Sequence, residues 1–332
     1  MIHRPRLIAL LSLAAPLFGA CKDPPAPPAP PSAASAVASG TPAITASAVV
    51  RPPAPISGAL PDAAPSPLDR RAECIKEACT FGHVVPDEVR PALSDGAPAV
   101  IWEQVIAERA SVVFPRDEVV EVMGVVLDGS VDLTAMEEAP KHTPVGGRWA
   151  AFRAPGGGVT LNGQGGKAAR VALVVVTTEP GKALGAHLAQ RDRPGAPPSW
   201  NWKARPSRIE ITSFADRPDL AWGGGALHAR IAWESEPSPA AALTLLRFSP
   251  DAGVAAHVHA SEWEIIAAFE GDGVLVKTLS TGEERLPVKQ GAIVNVPSGR
   301  PHAFQPSGKA PFFALQVYAP PGPEQRFKKL AR

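Results

Sequence analysis

From Ala99 to Ala319 the sequence is cut into short β-rich runs that leave no room for a long helix. AVIWEQVI, ASVVF, VVEVMGVVLDGSVDL, RWAAFRAP, GVTL and ARVALVVVTT are separated by Gly, Pro and charged turns. An irregular stretch follows from about Gly181 to Ala204, and then the texture resumes. SRIEITSF, ALHARIAWE, AALTLLRF, EWEIIAAFEG, GVLVKTL, ERLPV, AIVNVP, HAFQP and FFALQVYAP complete the series. No stretch keeps a helical period, and many short strands between turn residues predict an all-β sandwich or barrel.

The two halves of this region resemble each other. VVEVMGVVLDGSVDL matches EWEIIAAFEGDGVLV as an apolar run ending in an acidic-Gly turn. WAAFRAPGGGVTL matches GAIVNVPSGRPHAF, with Pro155 against Pro297 and Gly157 against Gly299. The order is the same in both halves, which predicts two barrels of one kind.

Only the second half carries a dense set of metal-ligand residue types. HVHASEWEIIAAFEG supplies His257, His259, Glu264 and Gly271, and GAIVNVPSGRPHAF supplies Gly291, Pro297, Gly299 and His302. Residues two apart on a strand share a face, so His257 and His259 can point into one interior. A Pro-x-Gly turn can then start the strand that brings His302 to them. Three neutral imidazoles and one carboxylate suit a first-row divalent ion such as Mn, Fe, Ni, Cu or Zn.

These two stretches resemble the cupin family. Its first motif, H-x-H-x4-E-x6-G, is met at His257, His259, Glu264 and Gly271. Its second, G-x5-P-x-G-x2-H, is met at Gly291, Pro297, Gly299 and His302. The second motif often closes on Asn, where this chain has Pro306, which is not a ligand position. The resemblance implies double-stranded β-helix barrels, here two in tandem, with a metal held by His257, His259, Glu264 and His302. It also implies several activities: oxygenases, oxalate-degrading enzymes, sugar isomerases and plain small-molecule binders. Cupin barrels often pair edge to edge, which leaves a homodimer open.

The first half offers no such set. SVVFPRDEVVEVMG has no His, and none follows Pro155 at the matching place, so the first barrel is expected to lack a metal. Asp117, Glu118 and Glu121 are expected on a solvated strand edge, and His142 in a solvated loop. Outside the ligand set, His228 is a candidate support for the metal ligands, and Glu262, two residues from Glu264, a candidate acid or base. Arg300 and Gln316 are expected beside the site, with Trp263 on the opposite face. Gly156–Gly158 and Gly223–Gly225 lack the strand–helix context of a phosphate loop and read as turns.

The N-terminus is of another character. MIHRPRLIALLSLAAPLFGACKD has a basic start, an apolar run too short to span a membrane, and small residues before Cys21. It resembles a bacterial lipoprotein signal, which implies a lipidated Cys21 and attachment to the cell envelope. Ordinary signal cleavage beside an incidental Cys is the alternative. Much of the excess of 39 prolines lies in residues 21–69, which are also rich in Ala and Ser and read as a disordered tether. Cys74 and Cys79 are the other cysteines, and in an exported protein they suit a disulfide around a short helix. Half of a redox or metal site is the alternative.

The domain reading is therefore signal 1–20, tether 21–69, Cys segment 70–97, degenerate barrel 98–182, connection 183–235, metal-binding barrel 236–320 and tail 321–332. A formal charge of +1 gives no broad electrostatic case for nucleic acid. The partners expected are a small-molecule ligand and, through the lipid, a membrane.

Overall fold

A computed structural model describes residues 53–331 apart from 76–77, 81–88, 90–91, 94, 136–140, 180–181, 192–207 and 235–239. The signal, Cys21 and the first part of the tether lie outside the described residues. The described chain is all-β, with α-helices of eight and six residues and a 3-10 turn at Phe214–Asp216.

The first barrel is built from β3 (Ala99–Ile106), β4 (Ser111–Asp128), β5 (Ser130–Ala135), β6 (His142–Gly146), β7 (Ala150–Gln164) and β8 (Ala169–Thr177). The second uses β11 (Leu227–Trp233), β12 (Ala242–Phe248), β13 (Val254–His257), β14 (Trp263–Glu270), β15 (Gly273–Leu279), β16 (Gly282–Val288), β17 (Ile293–Val296), β18 (His302–Pro306) and β19 (Phe312–Ala319). The pairing order β3-β8-β4-β7 in the first recurs as β12-β19-β14-β17 in the second. Likewise β7-β5-β6 recurs as β18-β15-β16. The weak sequence repeat is thus a repeat of topology.

Strand alternation explains how the barrels join. With Gly129 set against Gly271, Met123, Val125 and Leu127 fall opposite Ile265, Ala267 and Phe269, and all six lie in one apolar layer between the barrels. Burying a large apolar side chain there contributes about 1.5–3 kcal/mol. The alternate residues point into each barrel: Val122 and Val126 in the first, Ile266 and Ala268 in the second.

The motif glycines serve this geometry. Gly271 has φ 72°, and a Cβ there would meet the Pro311 carbonyl oxygen at 2.5 Å. Gly157, inside the kinked β7 and not in a free turn, has φ 60°, and a Cβ would meet Pro115 O at 2.6 Å. Gly223–Gly225 do form a turn, between β10 (Leu220–Trp222) and β11.

Three parts depart from the sequence reading. Residues 53–69, placed in the tether, run across both barrels. Ile56 N donates to Gly225 O, Trp149 Nε1 to Pro61 O, Arg170 to Pro65 O and Asp69 N to Gly291 O. Leu68 is buried and its N–H donates to buried Glu103. A Pro-rich chain lacks N–H donors but keeps its carbonyls, so it can dock on side-chain donors without a core of its own.

Around its two cysteines the Cys segment forms strands where a short helix was expected. β1 (Arg71–Cys74) pairs with β3 and β2 (Cys79–Thr80) with β4, both parallel, and Cys74 and Cys79 are disulfide-bonded. The connection is shared out: α1 (Leu184–Arg191) lies beside the first core, β9 (Glu210–Ser213) extends β7, and β10–β11 belong to the second barrel.

Candidate metal centre

Four ligand-type residues meet inside the second barrel. β13 ends at His257 and His259 follows it; β14 brings Glu264, and β18 opens with His302, which pairs with His257 across the ladder. One donor atom from each lies within 4.8 Å of the others, and His259, Glu264 and His302 are buried. A single ion bound at about 2.1 Å from each donor spans such a set after a small contraction.

The hydrogen bonds decide which nitrogens face inward. His257 Nδ1 donates to Ala255 O and His302 Nδ1 to Arg300 O, each at 2.9 Å. A carbonyl only accepts, so in the neutral rings both Nε2 atoms carry lone pairs. His302 Nε2 then faces Glu264 Oε2 at 2.7 Å, lone pair against carboxylate. His259 Nε2 lies 3.3 Å from the same oxygen, buried and without a hydrogen-bond partner. Leaving such an atom unsatisfied costs about 1–3 kcal/mol. The cluster needs a positive charge at its centre, and a divalent cation fits the donor set.

The electrostatics agree. Burial pushes the Glu264 carboxyl up, but the His259 and His302 imidazoles outweigh it and hold the group well below the usual carboxylate range. Burial pushes His257 down to about 4, so its ring is neutral at neutral pH. Burial also pushes His302 down, and the adjacent Glu264 carboxylate overrides this to raise it. Gln316 on β19 donates to Glu264 Oε1 and fixes the carboxylate plane. Tyr318, fully buried beside the His259 ring, is kept protonated by burial and by the charge of Glu264.

A cavity of about 300 Å³ opens onto His257, Glu264, His302 and Gln316. Its wall is otherwise mostly apolar, with Leu246, Phe248, Phe304 and Phe312 among the lining residues. α2 (Gln325–Leu330) closes one side with Arg326 and Phe327, inside the stretch read from sequence as a tail.

The remaining candidates fall elsewhere. His228 faces away from the cluster and binds Asp219, Ile56 O and Gly225 O, because neighbouring Leu227 takes the interior position. Glu262 is outside the cavity wall and accepts hydrogen bonds from the Ser261 hydroxyl and N–H. Arg300 contributes its carbonyl, while its exposed side chain stays off the wall.

Trp263 does take the opposite face, lining a cavity of about 510 Å³ between the barrels. Glu121 and Asp117 are not solvated. Glu121 is buried, accepts from Ala240 N, and burial raises its carboxyl; Asp117 accepts from His187. His142 is exposed, as expected, though it starts a strand and bonds Asp132 at 2.7 Å.

In the first barrel no such cluster exists among the described residues, and its interior is packed. Val122 stands where Glu264 stands in the second, and Phe114 pairs with Val159 near where His257 pairs with His302. Trp102 and Phe152 fill the rest.

No family model matches the sequence, and no curated protein matches it. Solved structures do. One of oxalate decarboxylase is 15% identical over 70% of this chain and 72% of that chain, with a TM-score of 0.53. A Bacillus subtilis oxalate decarboxylase variant, with one tryptophan replaced by phenylalanine, gives 13% identity over 70% and 71%, also at 0.53. The fold is a bicupin. A third match, at 15% and 0.52, concerns the Mn(II) centres of the Bacillus subtilis enzyme.

Proposed function

We propose that the second barrel is a metal-dependent cupin centre acting on a small organic substrate, as an oxygenase or decarboxylase. The supporting observation is that His257, His259, Glu264 and His302 bring donor atoms within 4.8 Å of one another beside a largely apolar cavity. A divalent ion such as Mn, Fe, Ni, Cu or Zn, held by His257, His259, Glu264 and His302, would supply Lewis-acid polarisation of substrate oxygens or chemistry with O₂. The chain's own groups do the rest. The Ala255 and Arg300 carbonyls set the imidazole rings, Gln316 sets the carboxylate, and the apolar wall keeps water from a bound substrate.

A second reading, capture of a ligand without turnover, is favoured by one feature of the wall. Among the described residues lining the cavity, Glu264 is the only carboxylate, and it belongs to the metal set. The test is elemental analysis of the purified full chain, followed by oxygen uptake and CO₂ release with a panel of small organic acids. Metal-dependent turnover supports the enzyme. Metal-dependent binding without turnover supports the second reading, and absence of metal after reconstitution defeats both.

The reading of location rests on the sequence MIHRPRLIALLSLAAPLFGACKD, which favours export and lipidation at Cys21. Intact-mass measurement of the mature protein tests it: loss of residues 1–20 with added acyl mass is expected. An unacylated N-terminus contradicts it.

A further inference from the structure

We infer that the cavity of the second barrel takes an apolar monocarboxylate, with Arg326 as the group that holds its carboxylate beside the metal set. This deepens the metal-centre reading and rests on that cavity being a ligand site.

Arg326 is an unusual cation for its place. Its guanidinium lines the cavity and donates to the Tyr318 hydroxyl at 3.0 Å and to His257 Nε2 at 3.4 Å. Among the described residues no carboxylate lies within ion-pair distance of it, whereas neighbouring Lys328 pairs with Glu234. The second contact uses the lone pair that a metal would take. Once His257 coordinates, that N–H bond of Arg326 loses its acceptor. An anionic ligand oxygen beside the metal restores it, and guanidinium binds carboxylate in a forked geometry.

Charge points the same way. A divalent ion, three neutral imidazoles and one carboxylate leave the centre positive, and Arg326 adds to it. An anion is therefore drawn to this end of the cavity. The rest of the wall is unlike it. Trp222, Leu227, Leu246, Phe248, Phe304 and Phe312 present rings and branched alkyl groups with no charged side chain among them. A cavity of about 300 Å³ is at the small end of the range for small-molecule sites. A carboxylate on a single ring or a branched alkyl body satisfies both the cation and the apolar wall. Oxalate, charged at both ends, would leave the apolar wall unsatisfied.

The test is calorimetric titration of the full chain with phenylacetate, 2-phenylacetamide, acetate and oxalate, with metal content read in the same samples. Phenylacetate is expected to bind at least about tenfold more tightly than each of the other three, a difference of about 1.4 kcal/mol. In Arg326→Gln the preference for acid over amide is expected to vanish while the amide affinity holds, and Arg326→Lys should keep part of it. Equal binding of acid and amide by the unaltered chain, or an Arg326→Gln chain that keeps the preference, overturns the proposal. The metal reading fails separately, through absent metal, and Arg326-dependent binding of phenylacetate in such samples would still support this inference.

Discussion

The two barrels share pairing order and register, yet among the described residues one interior is filled with buried apolar side chains and the other keeps a cavity. In the first, Val122, Phe114 and Val159 meet in the middle and Trp102 and Phe152 close the space. In the second, Glu264, His257 and His302 occupy the comparable strands, and a cavity of about 300 Å³ remains beside them. The faces that join the barrels are apolar in both, because alternation separates the joining face from the interior. A duplicated fold can therefore pack one interior and leave the other open without disturbing the layer between them.

That contrast can be broken most forcefully from the packed side. Trp102→Ala should cost about 3–5 kcal/mol in denaturant unfolding, since the ring is fully buried, and leave metal stoichiometry unchanged in the folded protein. A loss of metal with retained fold would show that the division is not real. From the hollow side, Glu264→Gln keeps the shape but removes the charge that faces His302 and His259. Metal affinity should fall about a hundredfold, about 2.7 kcal/mol, by competition with a chromophoric chelator, with far less effect on unfolding.

Next in size, reduction of the Cys74–Cys79 bridge, or Cys74→Ser with Cys79→Ser, frees a short loop on the first barrel. It should lower stability by about 2 kcal/mol and leave the metal in place.

The smallest effect is in pH. In chelator-treated protein His257 takes up its proton near pH 4 when folded, but near its ordinary value of 6.5 when unfolded. The unfolded state then binds more protons between these values, so His257 makes stability fall as pH drops through that window. His302, raised by Glu264, acts in the opposite sense, and its contribution is lost as pH rises through its folded value. Melting temperatures between pH 6.5 and 5 should decline less steeply in His257→Gln than in the parent.

Much of this was readable in the residues themselves. The His-x-His pair, the Glu five residues on and the Pro-x-Gly turn before His302 specify the barrel and bring the four candidate ligands together, because a strand's period of two leaves few other ways to pair them. The repeat was visible as matched Gly and Pro positions. What escaped were features set by long-range contact.

Residues 53–69 have a tether's composition, and only partners distant in sequence, such as Glu103, Trp149 and Arg170, show that they dock. Glu121 looks like a surface carboxylate until Ala240 N is brought against it. Arg326 sits in a C-terminal stretch with no local signal, and its partners His257 and Tyr318 are 69 and 8 residues away in sequence.

The most direct measurement is elemental mass spectrometry on the full chain, purified without chelating tags, beside a His257→Ala/His259→Ala variant. One equivalent of a first-row divalent metal is expected in the parent and none in the variant, with both melting cooperatively. A parent without metal after reconstitution, or a variant that keeps its equivalent, would contradict the metal centre.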